Sequence, residues 1–386
     1  MSAASTEFRV LVDAARGAFA PETESPAIPS GLDWRLLHRE ATRHGITPLL
    51  LQFLRRIPAG RVPEDVFQAL RHECREENRA SLHLSTQLLR IVEHFASRAI
   101  PIVPYKGPVL AVEAYGQLGL RTFVDLDFLV HPRDLQKTRR ELIALGFDAF
   151  PKLTPARERA FYRAECECWF DLPDRGVPVE IHWAVRERVF SFPLDLDGVF
   201  RRARTVQLCG RTVPSVAPED LLLILCIHGS KHAWSKLKWV LDLDRVLATN
   251  PDLDWELLLT QARDLRSTRL LLFSLATAAE VLGTALPVRI RTLIDADRTI
   301  AELVTACVGW LQLPAGSTPG PRAETAVYLR SREAFRDRLR YTLGMAFTPT
   351  LADWEALSLP DPLFPLYYVY RPLRLSMARI SSLFDR

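Results

Sequence analysis

The sequence predicts an α+β protein, with a small mixed sheet held between N- and C-terminal helical regions. Three observations carry that reading. Apolar residues recur at helical spacing over residues 8–98, from Trp34, Leu36 and Leu37 onward and again through Leu82, Leu84, Leu88, Leu89, Ile91 and Val92. Over 99–214 the pattern changes to short β-like runs, and from 215 it returns to helix. A length of 386 residues suits two or three units at about 150 residues each. The expected divisions are 1–98, 99–214 and 215–386.

The elements follow in order. Prolines in 21–26 and 58–63 break the first helical region. Strands are expected at 102–105, 124–130, 166–172 and 177–185, the last two joined as a hairpin by Pro173-Asp174-Arg175-Gly176. A smaller hairpin, 205–208 with 212–214, turns at Cys209-Gly210. Helices are expected at 109–118 and 135–145, the second closed by Gly146. Pro218-Glu219-Asp220 suits the first turn of a helix, where proline and acids are favoured. Pro314 to Pro321 reads as a linker. The aromatic tail 347–373 should dock on the body through Trp354, Phe364, Tyr367, Tyr368 and Tyr370.

Composition excludes several classes. With 48% apolar and 25% charged residues the chain can bury a real core, which argues against wholesale disorder. A net charge of +4 does not call for nucleic acid or a membrane surface. Six lysines against 44 arginines suggest a GC-rich genome and make each lysine more informative. Cys74, Cys166, Cys168, Cys209, Cys226 and Cys307 form no CxxC pair, so free thiols in a reducing cytoplasm are expected. The N-terminus lacks the basic-then-apolar order of a signal peptide. The greasiest stretch, 270–286, contains Glu280 and is short for a membrane span, so it reads as a buried helix.

The chemistry centres on Asp125-Leu126-Asp127. In a strand, residues two apart share a face, so both carboxylates point one way while Leu126, Phe128 and Val130 face the core. Two acids side by side repel unless a cation lies between them or solvent screens them. Upstream, Tyr105-Lys106-Gly107-Pro108 is a strand running into a glycine turn that opens a helix, an anion site to which Lys106 adds charge. Downstream, Glu180 on Val179-Glu180-Ile181-His182-Trp183 supplies a third carboxylate. A phosphate cradle with three acids is the set that nucleotidyl transfer requires.

These residues, with Arg121 and the stretch 228–242, resemble the nucleotidyltransferase superfamily typified by DNA polymerase β and kanamycin nucleotidyltransferase. The sequence is most similar to its bacterial branch of uncharacterised nucleotidyltransferases, some of which accompany peptide or polysaccharide biosynthesis genes. The resemblance covers about 100–245. It implies a polymerase-β-like sheet, with Asp125, Asp127 and Glu180 as catalytic Mg²⁺ or Mn²⁺ ligands and Lys106 and Gly107 at the triphosphate of an NTP. Arg121 either reaches a phosphate or packs as a salt bridge. One departure stands out: the superfamily usually shows Gly-Gly or Gly-Ser at the turn, and Pro108 removes one N–H that would face phosphate.

The stretch Ile227 to Trp239 holds His228 and His232 with three of the six lysines. If one continuous helix passed Gly229, then His228, His232, Ser235, Trp239 and Asp242 would fall on one stripe. Zinc ligation, contact with phosphates or acceptor, and plain packing against Asp242 all fit; the resemblance favours phosphates. His182 shares the face of Glu180, either beside a metal-bound water or as a core histidine. Cys166 and Cys168 share a strand face without nucleophile context. No Gly-x-Ser-x-Gly, Walker or dinucleotide glycine pattern occurs.

The expected function is therefore metal-dependent transfer of NMP from an NTP to a hydroxyl or phosphate. The acceptor is unidentified, with a small molecule or peptide favoured over RNA by the near-neutral charge. Two other readings share the fold: a non-catalytic nucleotide- or partner-binding module, and a toxin-type transferase acting on tRNA or protein.

Overall fold

The computed structural model describes residues 5–19, 27–58, 60–173, 176–314 and 316–384, with side chains as far as residue 377. The prolines at 21 and 26 and the turn residues Asp174 and Arg175 lie outside the described residues, as do Ala59 and Ala315 within two expected breaks.

Five strands form a mixed sheet: β1 (Val103–Pro104), β2 (Leu126–Leu129), β3 (Asp148–Phe150), β4 (Glu167–Leu172) and β5 (Val177–His182). Their order is β1-β2-β5-β4-β3, with β2 and β5 parallel and every other pair antiparallel. β2 is buried at every position, as a central strand covered on both faces must be. The parallel register sets Asp127 opposite Glu180 and Leu129 opposite His182. The antiparallel β4–β5 register sets Glu167 opposite His182. A separate hairpin, β6 (Arg204–Leu208) with β7 (Arg211–Ser215), turns at Cys209 and Gly210, both at positive φ, as a two-residue hairpin loop demands.

Several boundaries differ from expectation. The acid strand starts at Leu126, so Asp125 belongs to the loop entering it. The helix after β1 runs Gly107–Tyr115, starting at the glycine itself, and 118–120 is a separate 3₁₀ turn. β3 is an addition: three mostly exposed residues carry no alternation long enough to announce a strand. Leu82 stands 57% exposed on the helix Glu64–Ser97, off its buried face. Gly320 and Pro321 open the helix Gly320–Ser331, so the linker ends sooner than its composition suggests.

Two hydrophobic cores organise these elements. The first joins N-terminal helices (Leu11, Leu37, Leu50) to C-terminal ones (Leu225, Val240, Phe273, Leu303), so the chain's two helical ends share one interior. The second lies against the sheet and takes in Phe128, Phe170, Ile181, and Trp354 and Tyr367 from the tail. Phe364 and Tyr370 pack at its edge, whereas Tyr368 is about half exposed. The helix Glu64–Ser97 serves both, giving Val66, Leu70 and Cys74 to the first core and Leu84, Leu88 and Ile91 to the second.

The greasy stretch forms the buried helix Thr268–Leu282, closed by left-handed Gly283. Among the described residues no helix is long and apolar enough to cross a membrane. All six cysteines are free, and only Cys209 is exposed.

Candidate active site

The site forms where β2, β4 and β5 meet the start of the helix Gly107–Tyr115 and the junction of the helices Pro218–Lys231 and Leu237–Thr249. Together they line a cavity of about 310 Å³. Asp125, Asp127, Glu180, Lys106, Gly107, Arg121, His228 and His232 all reach its wall. Gly107 adopts φ 52°, and a Cβ there would sit 3.2 Å from the Asp125 carbonyl oxygen. The glycine thus lets the helix start close onto the loop that carries the acids.

Asp127 is the buried centre. Lys106 Nζ donates to its Oδ1 at 3.1 Å, and His182 Nε2 lies 3.2 Å from the same oxygen. Burial would raise the Asp127 carboxyl, but Lys106 and His182 hold it well below the usual carboxylate range. His182 is itself fully enclosed. Nδ1 lies 3.1 Å from Glu167 Oε2, and Nε2 lies 3.3 Å from Glu180 Oε2. Burial would lower this imidazole, yet Asp127, Glu167 and Glu180 raise it to about 10, so it is an imidazolium among acids. Nε2 nevertheless makes no well-aligned hydrogen bond.

Among the described residues Asp125 makes no ion pair, and Lys106 and Lys238 act on it only at a distance. Burial, then the charges of Asp127 and Glu180, raise its carboxyl to about 6. Glu167 is held down to about 2 by its bond to His182, against burial. Sequence reasoning missed Glu167, although counting back along the hairpin from Leu172 opposite Val177 places it opposite His182.

Around this acid floor stands a basic wall. Lys231 Nζ lies 3.8 Å from Glu167, and Lys236 and Lys238 line the cavity. Burial and Arg121 lower the Lys238 ammonium to about 8. His228 lies 3.4 Å from Lys106 through Nδ1, and His232 stacks on Trp239 with ring centroids 4.8 Å apart. Burial, then Lys106, pushes His228 well below its ordinary value; burial, then Lys231, brings His232 to about 3. Both are neutral rings.

The continuous histidine helix is corrected. The first helix ends at Lys231, Ala233 and Trp234 take φ of 50° and 54°, and a new helix starts at Leu237. The break falls after Gly229, and Gly229 is needed because a Cβ there would meet the Trp234 ring at 2.5 Å. His228, His232 and Trp239 still converge, but Asp242 does not join them. It accepts from Arg121 Nε at 2.7 Å, Arg121 Nη2 at 2.9 Å and Tyr115 Oη at 2.7 Å. That pairing takes the Arg121 guanidinium, which sequence reasoning allowed to a phosphate.

The acids suit a divalent cation, and His182 would join them as a ligand only by giving up its proton. Oxygen or nitrogen atoms of Asp127, Glu180 and His182 lie within 4.8 Å of one another. Two further facts agree: Asp125 is left over-crowded with negative charge, and His182 Nε2 is buried without an aligned partner. The expected trio had Asp125 in place of His182. Here Asp125 stands beside the cluster, and a cation bound to Asp127 would compete with Lys106 and the imidazolium.

A family model described as an uncharacterised nucleotidyltransferase matches residues 30–283. The chain belongs to that nucleotidyltransferase family. Among solved structures it is similar to an antigenic nucleotidyltransferase-like protein from Paracoccidioides brasiliensis. That likeness has 14% identity and a TM-score of 0.35 over 59% of this chain and 94% of that one, too loose to add to the assignment. Among curated proteins nothing matches.

Proposed function

We propose that this cavity transfers a nucleoside monophosphate from an NTP to an acceptor hydroxyl or phosphate, in the manner of polymerase-β-like enzymes and in a bacterial cytoplasm. The observation that carries the reading is Asp127 opposite Glu180 on adjacent parallel strands, facing a cavity that a helix start and four lysines also enter. Bound Mg²⁺ or Mn²⁺, held by Asp125, Asp127 and Glu180, would polarise the α-phosphoryl group and steady the leaving pyrophosphate.

The chain's own residues do the rest. The helix start at Gly107 offers backbone N–H groups to phosphate oxygens, short of the one Pro108 lacks. Lys231, Lys236 and Lys238 offset the triphosphate charge, and neutral His228 and His232 offer ring nitrogens beside it. The acceptor oxygen bonds to the α-phosphorus as the bond to pyrophosphate breaks. Glu180, whose side chain is 26% exposed against 3% for Asp127, is the accessible carboxylate that takes the acceptor's proton.

One observation favours a second reading, a binding module without turnover. Lys106 and His182 already neutralise Asp127 internally, as in a site that keeps its shape without metal. Calorimetric titration of each NTP, with and without Mg²⁺ or Mn²⁺, tests both. Metal-dependent binding by wild type that vanishes in Asp125→Ala/Asp127→Ala supports the site, and release of pyrophosphate separates transfer from binding. No NTP binding by folded wild type overturns transfer and nucleotide binding alike, and leaves a partner-binding module.

A further inference from the structure

Away from the acid cavity lies a groove of about 1180 Å³. Its walls are the helices Pro155–Ala164 and Phe335–Phe347. The 3₁₀ turn Arg188–Phe190 contributes to its floor, and the turn Asp361–Leu366 closes one side. One wall presents Ala156, Ala160 and Ala164, the other Leu339, Leu343 and Phe347. Residues four apart lie on one helix face, so two apolar stripes run along the groove for about 12 Å. The alanines leave room, and the three larger side chains are each about half exposed.

The rims are cationic. Arg159, Arg163, Arg188, Arg336 and Arg340 border the groove and are exposed. Among the described residues, none of these five guanidinium groups makes an ion pair or a side-chain hydrogen bond. The lining's acid, Asp361, is already engaged: it accepts from Thr154 Oγ1 at 2.6 Å and from the Ala156 N–H at 3.3 Å. Some arginines of this chain find carboxylates, as Arg202 finds Asp220 and Arg371 finds Asp353, and others stand singly in solvent; here five stand together around one groove. Five unpaired guanidinium groups along an apolar trough call for a ligand that is acidic along its edges and aliphatic along its centre.

We propose that the groove binds an acidic amphipathic peptide segment of a partner protein, apolar side chains seated on the leucine and alanine stripes and carboxylates paired with the rim arginines. A concave trough does not fit a bilayer surface; five of the six stripe residues are aliphatic and offer little to nucleic-acid bases, and an oligonucleotide probe tests the aromatic part of the lining, Phe347, Phe364 and Tyr368. The proposal is independent of nucleotidyl transfer, since no residue of the acid cavity lines the groove.

The probe is a fluorescent peptide about 18 residues long, with leucines on one helical face and glutamates on the other. The wild-type chain should bind it with an affinity that falls as salt rises. Arg163→Glu/Arg340→Glu should weaken binding about tenfold or more, Leu343→Asp should weaken it similarly, and Asp125→Asn should leave it unchanged. Melting curves check that each variant is folded, and the two groove variants fail independently. The proposal is overturned by no binding to wild type, or by equal binding to folded groove variants. Tighter binding of a lysine-for-glutamate peptide, a single-stranded oligonucleotide or anionic phosphatidylglycerol vesicles would also overturn it. So would concentration-dependent dimerisation that Leu343→Asp abolishes, because the occupant would then be a second copy.

Discussion

Arg121 and Asp242 are locked by two parallel hydrogen bonds, Nε to Oδ1 at 2.7 Å and Nη2 to Oδ2 at 2.9 Å, in a pocket closed to solvent. Asp242 belongs to the helix Leu237–Thr249 and Arg121 to the loop entering β2, so the pair ties the basic wall to the acid floor. Removing either partner strands a buried charge. Asp242→Ala should therefore lower stability by about 3–5 kcal/mol in chemical denaturation. An Arg121→Ala protein that kept its melting point and lost NTP affinity would return Arg121 to the phosphates.

Asp125 should show the opposite balance of stability and function. Its carboxyl, raised to about 6 by burial and its acid neighbours, is ionised at cost in the folded protein above that pH. Asp125→Asn should stabilise the apo protein by roughly 1–3 kcal/mol at neutral to alkaline pH, while abolishing any rise in melting temperature on adding Mg²⁺ or Mn²⁺. A variant melting well below wild type would make the residue structural.

Gly229 is predicted from shape alone. Because a Cβ would lie 2.5 Å from the Trp234 ring, Gly229→Ala must push the indole out of its buried seat. The expected loss is about 1–3 kcal/mol, with a red shift in tryptophan emission. His228 adjoins Gly229 and His232 lies between it and Trp234, so NTP affinity should fall with it.

His44 supplies a pH dependence. Its Nδ1 accepts from the Leu237 N–H at 3.0 Å, capping the helix that carries Lys238 and Trp239. Burial, then Arg43 and Lys236, hold the ring down to about 3 from its ordinary 6.5; Glu40 Oε2 is 3.8 Å from Nε2. The unfolded chain takes up the proton first, so stability is full above 6.5 and drains away as pH falls toward 3. His44→Gln should flatten the denaturation free energy against pH by about 1.4 kcal/mol per pH unit in that window. Identical slopes in the two proteins would refute the assignment.

Much of this site was readable because it is local. Asp127, Lys106-Gly107 and Glu180 each sit where strand alternation or glycine chemistry fixes a direction, and they reach one cavity wall together with Asp125, which the loop before β2 rather than strand alternation places there. The partnerships were not readable. Nothing linear says that Lys106 donates to Asp127, or that Arg121 closes on Asp242 across 121 residues. The helix break was hidden as well, since Ala233 and Trp234 adopt left-handed backbone without the glycine that normally signals it. It accompanies the buried seat of the Trp234 ring, which rests on Gly229 five residues back and on Phe273 from a distant helix. Glu167 lay between these cases, legible only once the hairpin register was followed residue by residue.

The helix Glu64–Ser97, 34 residues and about 50 Å long, is a shared beam. Fraying its first half removes Val66 and Leu70 from one interior; fraying its second removes Leu88 and Ile91 from the floor beneath the acid strands. Neither interior has a private copy of that wall. Heat should therefore take both apart in one calorimetric endotherm, with amide protons of β2 and of the helix Thr268–Leu282 exchanging at the same limiting free energy. Damage done far from the carboxylates, at Cys74 or Leu70, would then reach the acid cavity as a shortened lifetime of the whole molecule.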